Sequence, residues 1–595
     1  MMDTPEKITP KRPDWAVYER PVTNEKGRVL RPGVYWHSYK QTAFDENDDL
    51  KDHADRLISD EWIASPITVI ARTINNDTGG AGRLLRVVTD SGIKELIIAM
   101  EVFGGSGEEA RRPLFAMGAI IAPNKRGKFT EYLLDQHPYE VIVTTSRPGW
   151  HESGAFILPG STIGNTNVRY QASHYAQLLY SRKGELKMWQ REVATRCAGN
   201  PVLTLAVCAA LSGPLLSLVN ILGGGLHFMG DSSSGKTLAL QAAASVWGNP
   251  IRFVASWDVT PGGLEIEASD RNDTVLPLDE IKRADPRRVQ EMAYCLANGI
   301  GKSTMTRERE GRAKLSWRHL TLSSGERSLS DHAAISGNSA HAGAELRMID
   351  VNAGTRKYRA FDELHGLDGA AFHHSLSVAV GSHYGHLGPA FIEMLLASRD
   401  FAALPKEFAD LRAGFVTENA QAGRVADRFS VIALAGELAI EFGLLPWKAG
   451  SVTADCGLLY GEWLSQVGNG NTEDRQIVAS VQDYIDRHGS SRFSDVKDKK
   501  TDTKVINRAG YWEDTSTNRL YLFHKSALAE AARGYSLTRI VKALEQAKIL
   551  AFSDHDRKTK NYRLPGGAQA RLYVVDPEAI SCQGEEGSTQ KSERS

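Results

Sequence analysis

The run Gly230-Asp231-Ser232-Ser233-Ser234-Gly235-Lys236-Thr237 satisfies G-x-x-x-x-G-K-[ST] at every fixed position. No other stretch restricts the fold of this chain so tightly. Such a loop works only between a strand and a helix. Its glycines let the backbone curl so that successive N–H groups face a phosphate, and the helix N-terminus adds its positive dipole end. The flanks fit: Leu226-His-Phe-Met229 reads as a short apolar strand and Leu238 to Val246 as a helix. The expected ligand is ATP with Mg²⁺. Lys236 would reach the β- and γ-phosphates, and the Thr237 hydroxyl would ligate Mg²⁺.

A second element supports this reading. Thr274-Val-Leu-Pro-Leu-Asp279-Glu280 is a strand ending in two carboxylates. Asp279 would hold the Mg²⁺ shell and Glu280 would polarise the attacking water. Pro277 departs from the pattern, because proline removes a ladder donor and is unusual in a central strand. It is the one feature that favours a degenerate, non-hydrolysing site. Further on, Trp317-Arg-His-Leu-Thr-Leu-Ser-Ser-Gly-Glu326 reads as another core strand with a polar end. In ring ATPases a Ser, Thr or Asn there senses the γ-phosphate, which makes Ser323 or Ser324 the candidate.

A chain of 595 residues exceeds one hydrophobic core, so about three to four domains are expected. The formal net charge of −1 neither supports nor excludes nucleic-acid binding, since only local charge matters. Five cysteines without metal-ligand spacing suggest reduced thiols in a cytoplasmic protein. The start of the chain shows no apolar signal core, which argues against secretion. From Cys197 to Gly230 there is no Asp, Glu, Lys or Arg. Within it, the run Val202 to Leu222 is long enough to span a bilayer. It leads straight into the phosphate loop, however, so a buried helix and buried strand explain it better, with no membrane contact expected.

The expected organisation is α/β. Residues 1–30 are polar and read as a flexible arm, and 31–175 as a β-rich N-terminal domain. Residues 176–360 alternate helix and strand around the phosphate loop, and 361–468 are helical, with Arg424 to Phe442 as one amphipathic helix. Residues 469–577 mix helices and short strands in a winged-helix-like α+β domain, and 578–595 form a disordered tail. His365, His373 and His374 complete no metal-ligand set and read as ordinary surface or helix-end histidines.

Together the words Gly230-Asp-Ser-Ser-Ser-Gly-Lys-Thr237, Leu278-Asp-Glu-Ile281, Leu322-Ser-Ser-Gly-Glu326, Gly343-Ala-Glu-Leu-Arg347 and Ala435-Gly-Glu-Leu438, with Arg147-Pro-Gly-Trp150 nearer the N-terminus, resemble domain-of-unknown-function family nine-two-seven. Members sit in bacterial mobile elements, phages and plasmids. Relatives in resistance cassettes resemble self-loading hexameric ring helicases of the AAA+ class. The resemblance implies a P-loop NTPase (AAA+) module and a homo-oligomer, a hexamer by analogy. It also implies DNA as partner: a single strand in a ring pore, or a duplex origin. A primase or host replication protein is a further partner that it allows.

The residues permit that reading. Lys302, Arg307, Arg309, Arg312 and Lys314 cluster around the turn at Glu310-Gly311. In ring helicases a hairpin here grips the DNA backbone in the pore, and such cations bind phosphates without reading sequence. A solvated charged hairpin is the alternative, since Glu308 and Glu310 interleave. Arg347 is the first choice for an arginine finger supplied across a subunit interface. Arg327, Arg424 and Arg428 are its rivals, and Arg424 or Arg428 could serve as a second sensor in the same subunit. A duplex-binding wing or a solvated basic face would account for Arg492, Lys497, Lys499, Lys500, Lys504 and Arg508, and for Lys558, Lys560 and Arg563. The implied activity is ATP-driven unwinding or translocation in replication of a mobile element. The competing reading is an ATP-driven switch or loader that remodels a protein partner.

Overall fold

The computed structural model describes residues 5–39, 58–164, 167–171, 174–302, 314–336, 346–416, 420–467, 472–498, 505–516, 518–551 and 557–579. Two compact units emerge: Met1–Ser181 with Leu395–Ala397, and Arg182–Met394 with Ser398–Ser595.

The first unit is built on a five-stranded sheet. Its strands are β1 (Ile67–Asn75), β2 (Ala81–Thr89), β3 (Gly92–Ala99), β4 (Val141–Thr145) and β5 (Val168–Tyr170), in the order β5-β4-β1-β2-β3. Strand β1 alternates buried and exposed side chains along most of its length, the mark of a sheet with one covered face. Helices α1 (Glu108–Ala116) and α2 (Arg126–Asp135) carry the chain from β3 to β4. Leu114, Phe129 and Tyr132 from these helices share a core with Ile63, Ile67 and Leu85. Tyr132 donates its hydroxyl proton to the Ile67 carbonyl at 2.7 Å.

The expectation of a flexible arm over residues 1–30 is corrected for its described residues, 5–30. Asp14–Tyr18 pairs with Gly33–Tyr39, and Glu6–Lys7, Val22–Thr23 and Val29–Leu30 form a small sheet. Val22 and Leu30 are buried against Tyr35, and the Arg12 guanidinium sits 2.6 Å from the Asp60 carboxylate. A polar composition concealed a few well-placed apolar anchors, enough to order the segment.

In the second unit the phosphate-loop region forms a parallel sheet. Strands β6 (Gly224–Met229), β7 (Ala255–Ser256), β8 (Val275–Asp279), β9 (Leu320–Gly325) and β10 (Met348–Asn352) take the order β7-β8-β9-β6-β10. All pairings in it are parallel. Strand β9 is buried throughout and β6 nearly so, as expected for a parallel sheet covered on both faces. The chain steps to one side after β6 and crosses to the other side after β9. The crevice at the carboxyl ends of β6 and β9 is therefore the topological switch point where open α/β sheets place ligands.

The uncharged run preceding the loop folds as α3 (Pro201–Leu218), with 89% of it buried inside the protein. Helices α8 (Ala420–Glu441) and α9 (Ser451–Val467) pack on it, as does α4 (Lys236–Ser245). Gly213 of α3 passes so close to β8 that a Cβ there would lie 2.1 Å from the Thr274 carbonyl oxygen. Pro277 is accommodated because β7 pairs only with Leu278 and Asp279, beyond the proline. The missing donor falls on a stretch that has a ladder partner on one side only.

The C-terminal part of this unit is α+β. Helices α10 (Thr472–His488), α11 (Lys525–Ala531) and α12 (Leu537–Gln546) accompany strands β11 (Phe493–Asp495), β12 (Gly510–Asp514), β13 (Arg519–Phe523), β14 (Lys560–Arg563) and β15 (Gln569–Val575), ordered β11-β12-β13-β15-β14. Ile477, Val481, Phe493, Phe523, Leu528, Ile540 and Leu544 form its core.

Candidate nucleotide-binding site

The loop between β6 and α4 bends as its residue types require. Gly235 takes φ 106° and caps α4, and Ser233 stands at φ 59°. A non-glycine residue held at positive φ costs about 1–3 kcal/mol and persists where the surroundings impose it. Gly230 is needed for close approach, since a Cβ would come within 2.8 Å of Gly354 Cα.

One cavity is lined by Ser232 through Leu238 together with Asp279, Glu280, Ser324, Gly325, Glu326 and His373. Lys236 is 8% exposed. Its Nζ donates to the Gly230 and Asp231 carbonyls at 2.7 and 2.6 Å and to Ser234 Oγ at 3.1 Å. Burial lowers the Lys236 pKa below the usual lysine value; Glu326, Glu280, Asp279 and Asp231 oppose that shift. The Thr237 hydroxyl faces Asp279 Oδ1 at 3.2 Å and Oδ2 at 3.3 Å. A hydroxyl and a carboxylate oxygen side by side are hard ligands suited to Mg²⁺.

Glu280 follows at φ 65°, a left-handed turn that carries its carboxylate away from the line of β8. Its Oε1 is buried and has no hydrogen-bond partner, while Oε2 lies 3.6 Å from Lys282 Nζ. Ser324 ties the pair together. Its hydroxyl donates to Asp279 Oδ1 and accepts the Glu280 backbone N–H at 3.1 Å.

Ser323, named as a candidate from sequence, lies elsewhere, and its expected sensor position is corrected. Successive residues of a strand face opposite sides. Ser323 is fully buried between His227 and Trp257. The His227 Nε2 sits 2.8 Å from the Arg327 carbonyl, which can only accept, so Nε2 carries the proton. Nδ1 then accepts the Ser323 O–H at 2.8 Å, and Ser323 accepts the Trp257 indole N–H at 2.9 Å. Burial pushes His227 down to about 4 and keeps it neutral.

The arginines separate by position. Arg347 precedes β10 at the amino end of the sheet, where Met348 pairs with Gly225. Five strand residues separate that level from Gly230, roughly 16 Å, so Arg347 serves no phosphate in its own loop. Its guanidinium carbon lies 4.0 Å from the Tyr294 ring centroid. Arg428 is buried at the same amino end and donates to the Leu346 carbonyl at 2.6 Å. It cannot be a second sensor in this subunit. Arg424 is one turn earlier and exposed. Of the four, Arg327 lies at the phosphate end, two residues beyond β9, and it too is exposed.

Of the basic cluster, Lys302 donates to Glu291 at 2.6 Å and Lys314 is exposed. Arg307, Arg309 and Arg312 lie outside the described residues, as do Gly343, Lys499, Lys500, Lys504 and the tail from 580. In the C-terminal part the expected basic face is largely internally paired. Arg492 holds Glu530 through two bonds of 3.0 Å, Lys497 meets Glu513 at 3.0 Å, and Lys558 pairs with Glu545.

Sequence reasoning missed the segment after β10. Gly354 N–H donates to the Met229 carbonyl at 3.1 Å, Ala360 N–H to Ser234 at 3.0 Å, and Arg359 Nη1 to the Ser233 carbonyl at 3.0 Å. It also missed Glu326 and His373 as lining groups. Residues 354–360 reach the loop because β10 lies beside β6, whereas Glu326 follows β9 and His373 sits on the helix Gly369–Ser382.

Residues 29–316 match the family model Domain of unknown function (DUF927), and the resemblance drawn from the residue words stands. Among solved structures, "SCCmec type IV Cch - active helicase" aligns with TM-score 0.68 at 17% identity, covering 96% of this chain and 98% of that one. At that identity the likeness shows a shared fold. The apo NrS-1 C-terminal region gives TM-score 0.27 at 9% identity, covering 86% and 96%. ADP-bound NtrX from Brucella abortus gives 0.17 at 15%, covering 41% and 64%. Neither of these two carries an argument. No curated protein sequence matches.

Proposed function

We propose that this chain is an ATP- and Mg²⁺-dependent DNA helicase or translocase, working as a ring, in the replication of a mobile element. The observation that carries the reading is the meeting of Lys236, Thr237, Asp279, Glu280 and Ser324 in one cavity at the sheet's switch point. Thr237 and Asp279 would hold Mg²⁺, which when bound neutralises charge on the phosphates. Lys236 would leave the loop carbonyls for the phosphate oxygens. The Glu280 carboxylate, which lines the cavity, would take a hydrogen bond from the attacking water and orient it. Ser324 is the positioning residue that joins the Asp279 carboxylate to the Glu280 backbone N–H.

Three features support an AAA+ module. One strand, β9, stands between the phosphate-loop strand and the carboxylate strand. Its polar end reaches the cavity. Arg347 sits far from its own site, as a residue acting on a neighbour's nucleotide must. The α11–α12 pair followed by the β14–β15 hairpin supports the winged-helix-like reading of the C-terminus. The DNA assignment comes from the fold shared with the helicase of the resistance cassette.

A second reading, an ATP-driven switch acting on a protein partner, draws on the internal pairing of Lys302, Arg492, Lys497 and Lys558. The two are separated by ATP hydrolysis with and without single-stranded DNA, next to Lys236→Ala, and by strand displacement on forked DNA. DNA-stimulated hydrolysis lost in Lys236→Ala, with unwinding, is the expected result. Hydrolysis indifferent to DNA and no unwinding by an assembled ring would sink the helicase reading.

A further inference from the structure

Glu326 lines the candidate cavity with Lys236, Thr237, Asp279 and Glu280, yet it has no part in the reaction described above.

The turn that carries Glu326 is fixed on both sides. Before it, the Gly325 carbonyl accepts the Gly230 N–H at 3.2 Å, and Ser324 joins Asp279 to the Glu280 N–H. A Cβ on Gly325 would lie 2.4 Å from Ile281 Cγ2 and 2.9 Å from His227 Cε1, so the chain passes here only as glycine. After it, the His227 ring donates its Nε2–H to the Arg327 carbonyl at 2.8 Å. Ser328 then caps the helix Leu329–Ala334, its hydroxyl oxygen accepting the Asp331 N–H at 2.9 Å. The phosphate loop, the carboxylate strand and a buried histidine thus hold one short turn. A reacting group needs that kind of rigid support.

The side chain itself is left open. Glu326 is exposed, and among the described residues its carboxylate has no hydrogen bond or ion pair. Lys236 does not claim it, because the three protons of the ammonium go to Gly230, Asp231 and Ser234. Even so, the Glu326 charge acts on Lys236 more strongly than that of Glu280, Asp279 or Asp231. Glu280 is placed differently: its Oε1 is buried and its Oε2 faces Lys282 Nζ at 3.6 Å. With ATP bound, Lys236 would meet the β- and γ-phosphates. A carboxylate beside it would be repelled by the γ-phosphoryl oxygens unless a hydrogen-bond donor stood between the two anions. The attacking water is such a donor, with two O–H groups.

We propose that Glu326 is a second catalytic carboxylate of this site: the attacking water would donate one hydrogen bond to Glu280 and the other to Glu326. As the water oxygen bonds to the γ-phosphorus, the bond from that phosphorus to the bridging oxygen breaks, and its electron pair leaves with ADP. The proton that the water loses passes to a carboxylate and from there to the phosphate formed or to solvent. Glu326 has this role only if the chain hydrolyses ATP as proposed above; it does not depend on DNA unwinding.

The test compares the full-length wild type with Glu326→Gln, which keeps the shape of the side chain and removes its charge. Hydrolysis is measured in Mg²⁺, with and without single-stranded DNA. The kcat of the variant should fall about 10²-fold or more, the scale of a proton acceptor in the transition state, while KM for ATP stays level or falls. Calorimetric titration gives a readout apart from turnover. Affinity for ADP should be unchanged. Affinity for ADP with aluminium fluoride, a mimic of the transferring phosphoryl group, should fall about tenfold, because the lost contact forms only in the transition state. Tm should not move, since the side chain is exposed and unpaired. An unchanged kcat would overturn the proposal. So would a lower KM at unchanged kcat, the sign of a charge that merely opposes the nucleotide, and so would equal loss of affinity for ADP and for its aluminium fluoride complex. Wild-type hydrolysis that is lost in Lys236→Ala upholds the ATP reading whatever Glu326→Gln does. Hydrolysis absent from the wild type, or indifferent to Lys236→Ala, would remove both.

Discussion

Thr237 and Asp279 meet hydroxyl to carboxylate at 3.2 Å, although 42 positions separate them in the chain. One stands at the first turn of α4 and the other at the last residue of β8. Parallel strands bring these termini to the same edge, and under the proposed function the pair would supply the protein's half of a Mg²⁺ shell. Thr237→Ala should raise the Mg²⁺ concentration needed for half-maximal hydrolysis and lower kcat by about 10²–10³, the scale for losing one positioned electrostatic contact. A Mg²⁺ titration of ATPase rate checks it, and an unchanged titration would remove Thr237 from the site.

Neighbouring serines should separate cleanly. Ser324→Ala removes the group that joins Asp279 to the Glu280 backbone, so kcat should fall while Tm moves little. Ser323→Ala leaves the Trp257 indole N–H without its acceptor and His227 Nδ1 without its donor. It should destabilise the fold by about 1–3 kcal/mol with a smaller effect on kcat per folded molecule. Paired thermal melts and initial rates on the two variants decide between these outcomes.

Acid should unfold the second unit through its buried histidines. Burial pushes His227 down to about 4 and His319 to about 3, below the ordinary value near 6.5. The unfolded chain therefore takes up protons first, and stability falls as pH drops from about 6.5 toward 4. Asp270 and Asp455, raised to about 6 by burial, act in the opposite sense, since the folded state holds their protons more tightly. A variant comparison isolates the histidine part. The His319→Leu protein should lose less Tm between pH 6.5 and 4.5 than the wild type, and parallel curves would refute the assignment.

Gly213 should tolerate no side chain. A Cβ there would lie 2.1 Å from the Thr274 carbonyl oxygen, and its nearest neighbours, in Thr274 and Asp273, are all backbone atoms. Gly213→Ala should lower stability by about 1–3 kcal/mol or more, the range for overpacking a core. Urea denaturation monitored by tryptophan fluorescence measures it.

Arg347 should act on a neighbour's nucleotide if it is the arginine finger. Arg347→Ala should cut hydrolysis by about 10³-fold or more while ATP binding remains. Mixing it with Lys236→Ala should recover part of the activity, because some interfaces then pair an intact loop with an intact arginine. No recovery at any mixing ratio, with assembly verified by sedimentation, would place the finger elsewhere.

Much of the candidate site was legible in the residues. A phosphate loop is a local device: eight consecutive positions set its turn, its lysine and its helix cap. The Asp279-Glu280 pair was legible for a related reason, since a strand that ends in carboxylates puts them at a sheet edge. The choice between Ser323 and Ser324 was not legible. It depends on which face of β9 looks into the cavity, and a strand buried on both faces gives no alternation to read. The ordered N-terminal strands escaped notice because a few apolar residues, Val22, Leu30 and Tyr35, carry the packing of a polar stretch. The uncharged run before the loop had a membrane-length composition, and its packing beneath α8 and α9 decided it as a core helix.

The sequence by itself determined the phosphate loop, its two carboxylates and the α/β alternation around them, because each depends on neighbours along the chain. The tertiary structure alone decided that Ser324 and not Ser323 faces Asp279, that Arg347 and Arg428 lie at the end of the sheet away from the phosphates, and that the 354–360 segment braces the loop. Those relationships are set by strand order and strand direction. Strand order arises from how the helices bury the two faces of the sheet, a long-range outcome that no local spacing encodes.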